Sequence, residues 1–204
     1  MRKLAKRLYR AAPDFIYYQV SHYLAHGAWI NFKSPKTFSE KIYRRMRYPC
    51  RDFSMLADKV AVRDYISQRV SEKYLTPIIM ISDNFTEKDY LSLPQSFVIK
   101  TNNASQQVKI VKEKSEVTFT DIAKILNEWS EITYWKRFRE KHYDNIPQKI
   151  IVEQLLDIET AGELIDYKVH VFNGNPAYLF VELLRGGPEP TSLEFLDEHA
   201  HHCF

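Results

Sequence analysis

Glycine is scarce in this chain, and its distribution excludes the common nucleotide cradles from most of the sequence. Residues 28–161 contain no glycine, because the five glycines of the chain are Gly27, Gly162, Gly174, Gly186 and Gly187. The P-loop pattern GxxxxGK and the dinucleotide pattern GxGxxG both require glycines that let the backbone approach a phosphate chain closely. Neither pattern can be written in that stretch, so folds built on either cradle are excluded there.

Length and composition are those of an ordinary folded protein with one large or two small domains. The 204 residues are 45% hydrophobic and 27% charged, which excludes disorder. The net charge of +3 permits anionic ligands but does not indicate a nucleic-acid partner. Cys50 and Cys203 lack the spacing of metal ligands or of a CxxC motif. No segment approaches the ~20 apolar residues of a membrane span, so we expect a cytoplasmic protein.

The N-terminal residues 1–26 predict a helix with two open interpretations. Apolar Phe15, Val20 and Leu24 alternate with polar residues, and the first ten positions are rich in basic side chains: Arg2, Lys3, Lys6, Arg7 and Arg10. The segment suits a solvated amphipathic helix. It also suits a helix that contacts anionic lipid at the inner face of the membrane.

Local signals predict helices first and then strands that are interleaved with helices. Thr37-x-x-Glu40 is a capping box, which marks a helix start. A second helix is expected from about Ser54 to Arg69, with its charged residues, among them Lys59 and Arg63, in surface ion pairs. Further apolar patterns predict strands over 78–81, 97–100, 108–111 and 150–155, and a helix over 120–129. The run 78–81 is apolar throughout, so we expect a buried strand there.

A β-hairpin is the clearest local signal in the chain. Leu164–Phe172 and Asn175–Leu184 are strand-like and flank Asn173-Gly174, a pair that tolerates the positive φ of a tight turn. Pro176 leaves the register of the hairpin open. The whole pattern predicts an α+β or α/β protein.

Charged residues cluster at the ends of the predicted strands. Lys100 ends a strand just before the polar turn 101–107, and Glu153 lies inside an apolar strand, where a carboxylate is costly without a partner. The hairpin begins and ends with further charges: Asp166, Lys168, Glu182 and Arg185. Each alone is typical of a solvent-facing strand edge, but together they suit a site that holds a phosphate chain.

Several spaced motifs, in order, resemble one known family. They are Pro35–Lys41, Ala57–Tyr65, Glu72–Pro77, Leu93–Asn102, Ile151–Leu156 and Asp166–Gly174. The chain resembles the TupA-like ATP-grasp family of cell-surface polysaccharide biosynthesis from about residue 15 to its end. Members of that family are often labelled glycosyltransferases because their genes lie in capsule and O-antigen clusters.

The resemblance implies an α+β, ATP-grasp-like fold in which two subdomains grip ATP between their sheets. It divides the chain into a helical region (1–76), a phosphate-loop subdomain (77–147) and part of a C-terminal nucleotide-binding sheet with the hairpin (148–204). The family continues beyond Phe195-Leu196-Asp197 with an acidic strand that binds Mg²⁺. Because this chain ends at Phe204, we expect that part of the grasp domain to be missing.

The resemblance also implies an activity and a set of site residues. The activity is ATP- and Mg²⁺-dependent ligation, in which a carboxylate becomes an acyl phosphate and a nucleophile displaces phosphate. The partners would be a nucleotide and a saccharide or saccharide precursor. The implied cofactor-binding residues are Lys100, Asn102, Ser105, Glu153, Leu155 and Asp166. Among them, Lys100 would contact the α/β-phosphates, and Glu153 and Leu155 would contact the adenine. The implied catalytic residues are Lys168 and Arg185. No metal ligand is assigned.

The phosphate loop departs from the family pattern, which reads roughly Asn-His-Gly-Ser-Gly-Gly. The same positions here, Asn102–Gln107, read Asn-Asn-Ala-Ser-Gln-Gln. Glycine there allows positive φ and close backbone approach to phosphate. We therefore expect Asn103 to retain access to the left-handed region, the alanine and glutamine positions to adopt it less readily, and the two glutamine side chains to occupy phosphate space.

Two alternatives to an active ligase stay open. A glycosyltransferase that uses a nucleotide sugar would be expected to carry an Asp-x-Asp metal motif, and the sequence contains none. A non-catalytic or truncated relative that binds a partner or glycan would fit the altered loop and the early chain end.

Overall fold

The structure is a computed structural model that describes residues 11–156, 166–183 and 192–196. The chain divides into two compact units, Met1–Leu155 and Leu156–Phe204. Seven α-helices and two antiparallel sheets lie within the described residues. These elements confirm the α+β class.

The first unit contains all seven of these helices and the first sheet. The helices are α1 (Asp14–His26), α2 (Phe38–Arg47), α3 (Asp52–Ala57), α4 (Ala61–Arg69), α5 (Glu87–Ser92), α6 (Phe119–Ser130) and α7 (Tyr134–Phe138). Single 3₁₀ turns occur at Glu72–Tyr74, Lys114–Glu116 and Lys141–Tyr143. The strands are β1 (Ile78–Ser82), β2 (Phe97–Thr101), β3 (Val108–Val111) and β4 (Ile150–Glu153), in the order β1-β4-β2-β3.

Local hydrogen bonds explain where the helices begin and break. The predicted capping box at Thr37 and Glu40 is present and starts α2. The single helix expected from Ser54 to Arg69 is wrong, because the chain turns between α3 and α4. At that turn the Asp58 carboxylate accepts a hydrogen bond from the backbone N–H of Val60 at 2.8 Å, a local bond that competes with helix continuation.

The core of the first unit lies on one face of the sheet, against α5 and α6. Its buried side chains are Phe85, Tyr90, Leu93, Phe97, Ile99, Val111, Ile122 and Val152. The strand pattern of β2 alternates between buried and half-buried positions, as expected for a sheet with a single core face. The expectation that 78–81 is a buried strand is wrong, because β1 is an edge strand on which Ile79 and Ile81 are exposed.

The N-terminal helices are held to the segment that follows α7. Tyr18 is fully buried, and its hydroxyl donates to the Arg139 carbonyl. Asp14 at the start of α1 pairs with Arg139 at 2.5 Å and with Lys141 at 2.8 Å. Residues 1–10 lie outside the described residues, so the predicted basic start of this helix is not described. Cys50 is a free, exposed thiol, and Cys203 lies outside the described residues.

The second unit contains the predicted hairpin and one further strand. Its sheet consists of β5 (Asp166–Phe172), β6 (Asn175–Leu183) and β7 (Ser192–Leu196), all antiparallel. Asn173 and Gly174 connect β5 to β6 with φ of 53° and 84°, the positive values of a type I′ turn. The register shifts between His170 and Val171, next to the pairing of Val171 with Pro176.

Strand pairing places residues 150–153 in the first unit, since β4 pairs with β1 and β2. The three-part domain division stays a prediction.

Within the described part of the chain, none of the helices has both the length and the apolar character that crossing a bilayer requires.

Candidate functional site

The two faces of the first sheet differ in chemistry. Phe97, Ile99 and Val152 point to the core, whereas Lys100 and Glu153 lie on the opposite face, called the site face below. In the antiparallel register Val98 is opposite Glu153 and Lys100 is opposite Ile151. Lys100 and Glu153 are therefore diagonal neighbours, a separation that a long side chain can span.

A buried carboxylate and two cations form the centre of the site face. Glu153 Oε2 lies 2.5 Å from Lys100 Nζ, and Glu153 Oε1 lies 3.5 Å from Arg63 Nη1. The Glu153 side chain is 9% exposed, and the Lys100 and Arg63 side chains are 21% and 17% exposed. Arg63 also donates to the Thr76 carbonyl at 2.5 Å. Glu153 thus has the partners that a buried carboxylate requires.

Lys59 brings a third cation to the same region. Its ammonium donates to the Ala104 carbonyl and, at 3.4 Å, to the Asn102 carbonyl. Burial lowers the pKa of Lys59, and the nearby charge of Lys100 lowers it further. The expectation that Lys59 and Arg63 form surface pairs is wrong, because both side chains turn toward the sheet and the loop that follows β2. The sequence signal that could have grouped Lys59 with Arg63 is their spacing of four residues near the start of α4.

Asn102 is fully buried, and its side chain is bonded within the protein. Its Nδ2 donates to Asp58 Oδ1 at 2.9 Å and to the Pro147 carbonyl at 3.0 Å, and its Oδ1 accepts from the Lys149 N–H at 2.6 Å. Both amide hydrogens are therefore used. The bonds tie the end of β2 to the segment before β4, while the predicted role of Asn102 toward a cofactor stays a prediction.

The loop after β2 keeps a glycine-like conformation without glycine. Gln106, which stands where the resembled family has glycine, has φ of 65°. The left-handed region is unfavourable for a residue with a Cβ atom. The expectation that Asn103, more readily than glutamine, adopts this conformation is therefore wrong, because Gln106 has the positive φ and Asn103 does not.

The second glutamine of the loop turns to the other side of the sheet. Gln107 is buried, its Oε1 accepts from the Thr101 hydroxyl at 2.6 Å, and its Nε2 donates to the Trp129 carbonyl at 3.3 Å. Thr101 alternates with Lys100 along β2 and so lies on the core face. The expectation that Gln107 occupies phosphate space on the site face is wrong. Ser105 is exposed and hydrogen-bonded with Tyr134.

Apolar side chains flank the ion pair on both edge strands. Ile81 is opposite Ile151, and Val108 is opposite Lys100, so they share the site face. Ile79, Ile81, Val108 and Ile110 are 38–49% exposed. Half-exposed aliphatic side chains beside a charged centre suit a ligand with a flat apolar ring and an anionic tail.

The chain after β4 offers backbone groups. Gln154 donates its N–H to the Pro77 carbonyl at 3.0 Å. Leu155 is half-buried, and among the described residues its backbone forms no hydrogen bond. These groups are compatible with the predicted contact of residues 153–155 to a base.

The predicted residues of the second unit form a local pair. Asp166 and Lys168 lie on the same face of β5, and Lys168 Nζ is 3.0 Å from Asp166 Oδ2. Arg185 lies outside the described residues. Among the described residues, no group of three or more His, Cys, Asp or Glu side chains could hold a metal ion.

Comparison with protein families identifies the chain. The family model described as TupA-like ATPgrasp matches residues 40–192, which is most of the sequence. The chain belongs to the TupA-like ATP-grasp family. The matched range of this TupA-like protein includes Lys59, Arg63, Lys100 and Glu153, and excludes α1. No curated protein and no solved structure gives a significant match.

Proposed function

We propose that this TupA-like protein binds ATP on the site face and acts in the biosynthesis of a capsule, O-antigen or teichuronic-type surface polysaccharide. If turnover occurs, the reaction class is ATP-dependent carboxylate ligation, with a saccharide or saccharide precursor as the second substrate. The observation that carries the ATP-binding part is the cluster of Lys59, Arg63 and Lys100 around the buried carboxylate of Glu153.

The charge balance of this cluster favours a polyanionic ligand. Three cations lie in contact with or near two carboxylates, Glu153 and Asp58, and partial burial strengthens each interaction relative to water. A phosphate chain would add the negative charge that the cluster lacks. The aliphatic edge residues Ile81 and Val108 would contact the base, and the backbone of Leu155 would bond its edge.

The chain's own residues would act by positioning and charge neutralisation. Glu153 holds the Lys100 ammonium on the site face, so that little reorganisation is needed when negative charge develops on a transferred phosphoryl group. Lys59 holds the loop carbonyls of Asn102 and Ala104 and so fixes the edge of the site. Bound ATP supplies the phosphoryl group of an acyl phosphate.

Mg²⁺ is implied by the family, but the described residues offer no fitting ligand set. Mg²⁺ prefers oxygen ligands in octahedral geometry, with carboxylates as the usual protein donors. The carboxylate of Glu153 is already paired with Lys100 and Arg63. We therefore assign no residue to Mg²⁺ and derive no step through it.

The test is a thermal-shift titration with ATP and Mg²⁺, confirmed by calorimetry. We expect ATP to raise the unfolding temperature, because a ligand at about 100 times its Kd stabilises the folded state by about 2.7 kcal/mol. Lys100→Ala should abolish the shift, whereas Lys112→Ala, which removes an exposed lysine just after β3, should retain it. Stabilisation by a UDP-sugar and not by ATP would contradict the proposal and favour a glycosyltransferase.

A second candidate, a nucleotide-binding protein without turnover, is favoured by the loop. Gln107 fills a position where family members have glycine, and Ala104 is buried with its carbonyl bonded to Lys59. The glycines that allow close backbone approach to a phosphate are therefore absent from these positions. ADP release in the presence of candidate carboxylates and amines separates the two: binding without release would favour this second candidate.

A further inference from the structure

Charge is strongly segregated along this chain. Residues 1–51 contain twelve Lys and Arg against two Asp and Glu, whereas residues 52–204 contain 17 against 24. The weak overall charge of +3 conceals this division. A basic segment of this kind is attracted to an anionic surface.

The basic segment also exposes an apolar stripe on α1. Ile16, Val20, Tyr23 and Leu24 recur at the spacing of one helix face. Ile16 is 48%, Tyr23 45% and Leu24 76% exposed, whereas Tyr18 and His22 on the opposite side are buried. Among the described residues, the helix therefore packs with its polar-tipped aromatic side and leaves its aliphatic side exposed.

Trp29 extends the apolar stripe beyond the end of α1. Its ring stacks on Tyr23 with centroids 4.6 Å apart, and it is 61% exposed. Gln19 fixes this arrangement, since its side chain donates to the Ile30 carbonyl at 3.0 Å and accepts from the Ile30 N–H at 2.8 Å. An exposed Trp–Tyr pair that is held in place, with exposed Lys33 nearby in the chain, is typical of residues at a membrane–water interface.

We propose that the apolar stripe, Ile16, Val20, Tyr23, Leu24 and Trp29, docks on the surface of an anionic lipid bilayer. The aliphatic and aromatic side chains enter the boundary between headgroups and acyl chains, and the lysines of the same segment bind the anionic headgroups. The charge of residues 1–51 favours this occupant over a second copy of the chain, since two such segments repel each other.

The test uses the full chain and vesicles of phosphatidylcholine with or without an equal part of phosphatidylglycerol. We expect the protein to cosediment with vesicles that contain phosphatidylglycerol and not with those of phosphatidylcholine only. High salt should weaken this binding. Lys33→Gln/Lys36→Gln should weaken binding about 25-fold, since each interfacial basic residue contributes about fivefold. The control Lys88→Gln/Lys112→Gln removes the same charge from exposed positions in the rest of the chain and should weaken binding much less.

A second pair of double variants tests the contribution of the apolar stripe. Leu24→Ser/Trp29→Ser should reduce vesicle binding at least tenfold, whereas Leu91→Ser/Tyr74→Ser, at 69% and 66% exposed positions outside the segment, should leave it unchanged. Equal binding by both double variants would overturn the proposal. So would a dimer in sedimentation equilibrium that Leu24→Ser/Trp29→Ser abolishes while vesicle binding is absent.

A fluorescence measurement keeps the test independent of affinity. Trp29→Phe keeps an aromatic ring in the stripe and should still bind vesicles. Lipids with brominated acyl chains should quench the native protein on binding, and this quenching should be lost in Trp29→Phe, because the remaining Trp129 and Trp135 lie outside the stripe. Quenching that persists in Trp29→Phe would overturn the proposed docking face.

Discussion

The ammonium of Lys100 lies 2.5 Å from the carboxylate of Glu153 across strands β2 and β4, with the carboxylate almost fully buried. Arg63 approaches the other oxygen of the same carboxylate. This relationship holds the lysine on the face of the sheet opposite the core. It explains how a largely buried carboxylate is tolerated at the end of an apolar strand, and it supports the proposed nucleotide site.

The Lys100–Glu153 pair should show energetic coupling. Lys100→Met removes one partner of a largely buried carboxylate and should lower the free energy of unfolding by about 1–3 kcal/mol. Adding Glu153→Gln should recover part of that loss, because the uncompensated charge is then removed. A double-mutant cycle in urea measures the coupling, and strictly additive single variants would contradict it.

Asn102 should contribute more to stability than its neighbour Asn103. Asn102→Ala leaves the Asp58 carboxylate, the Pro147 carbonyl and the Lys149 N–H without their partner, and should cost about 2–3 kcal/mol. Asn103 makes one side-chain bond, to the Ile146 carbonyl at 3.3 Å, so Asn103→Ala should cost about 1 kcal/mol or less. Equal losses in denaturant unfolding would show that the Asn102 bonds are not dominant.

Glu40 should make the stability of the protein depend on acid pH. Its carboxylate accepts hydrogen bonds from the N–H groups of Asn31, Lys36 and Thr37, which lower its pKa from 4.5 to about 2. A lowered folded-state pKa stabilises the protein above pH 4.5, and this contribution is lost as the pH falls toward 2.

Glu40→Gln should therefore destabilise the protein most above pH 4.5, and the deficit should shrink as the pH falls. Urea unfolding at several pH values measures the difference from the native protein. Glu87→Gln removes an exposed carboxylate from the first turn of α5 and controls for the change in charge. A deficit that grows on acidification would contradict the hydrogen-bond account.

Gln106 should tolerate replacement by glycine with a gain in stability. Its positive φ of 65° costs a residue with a Cβ atom about 1–2 kcal/mol, whereas glycine adopts it freely but loses more entropy on folding. We expect Gln106→Gly to raise the free energy of unfolding by about 0.5–1 kcal/mol. Ser105→Gly, at a position without positive φ, should lower it, and stabilisation by both changes would contradict this account.

Local features of the fold were predictable because their physics is local. The capping box at Thr37 and Glu40 closes within one turn, and the type I′ turn at Asn173 and Gly174 depends on two adjacent φ angles. By contrast, local signals did not show that the segment from Ser54 to Arg69 forms two helices instead of one. Its break is stabilised by Asn102, which lies far along the chain and binds Asp58.

The candidate site was predictable in part. Lys100 at the end of a strand and the carboxylate of Glu153 were identified by their types and positions, but Lys59 and Arg63 were expected in surface pairs. Arg63 meets Glu153 across 90 residues of sequence, and Lys59 meets Ala104 across 45. No local pattern encodes such contacts.

By itself, the sequence determined the α+β class, the TupA-like ATP-grasp family and the strand that carries Lys100, because periodicity, capping and motif order are properties of the chain. Only the tertiary structure decided which charges meet, that Gln107 turns to the core face, and that the apolar stripe on and just after α1 is exposed. Those outcomes depend on the register of antiparallel strands and on the packing of distant segments, which fix side-chain direction only once the chain has folded.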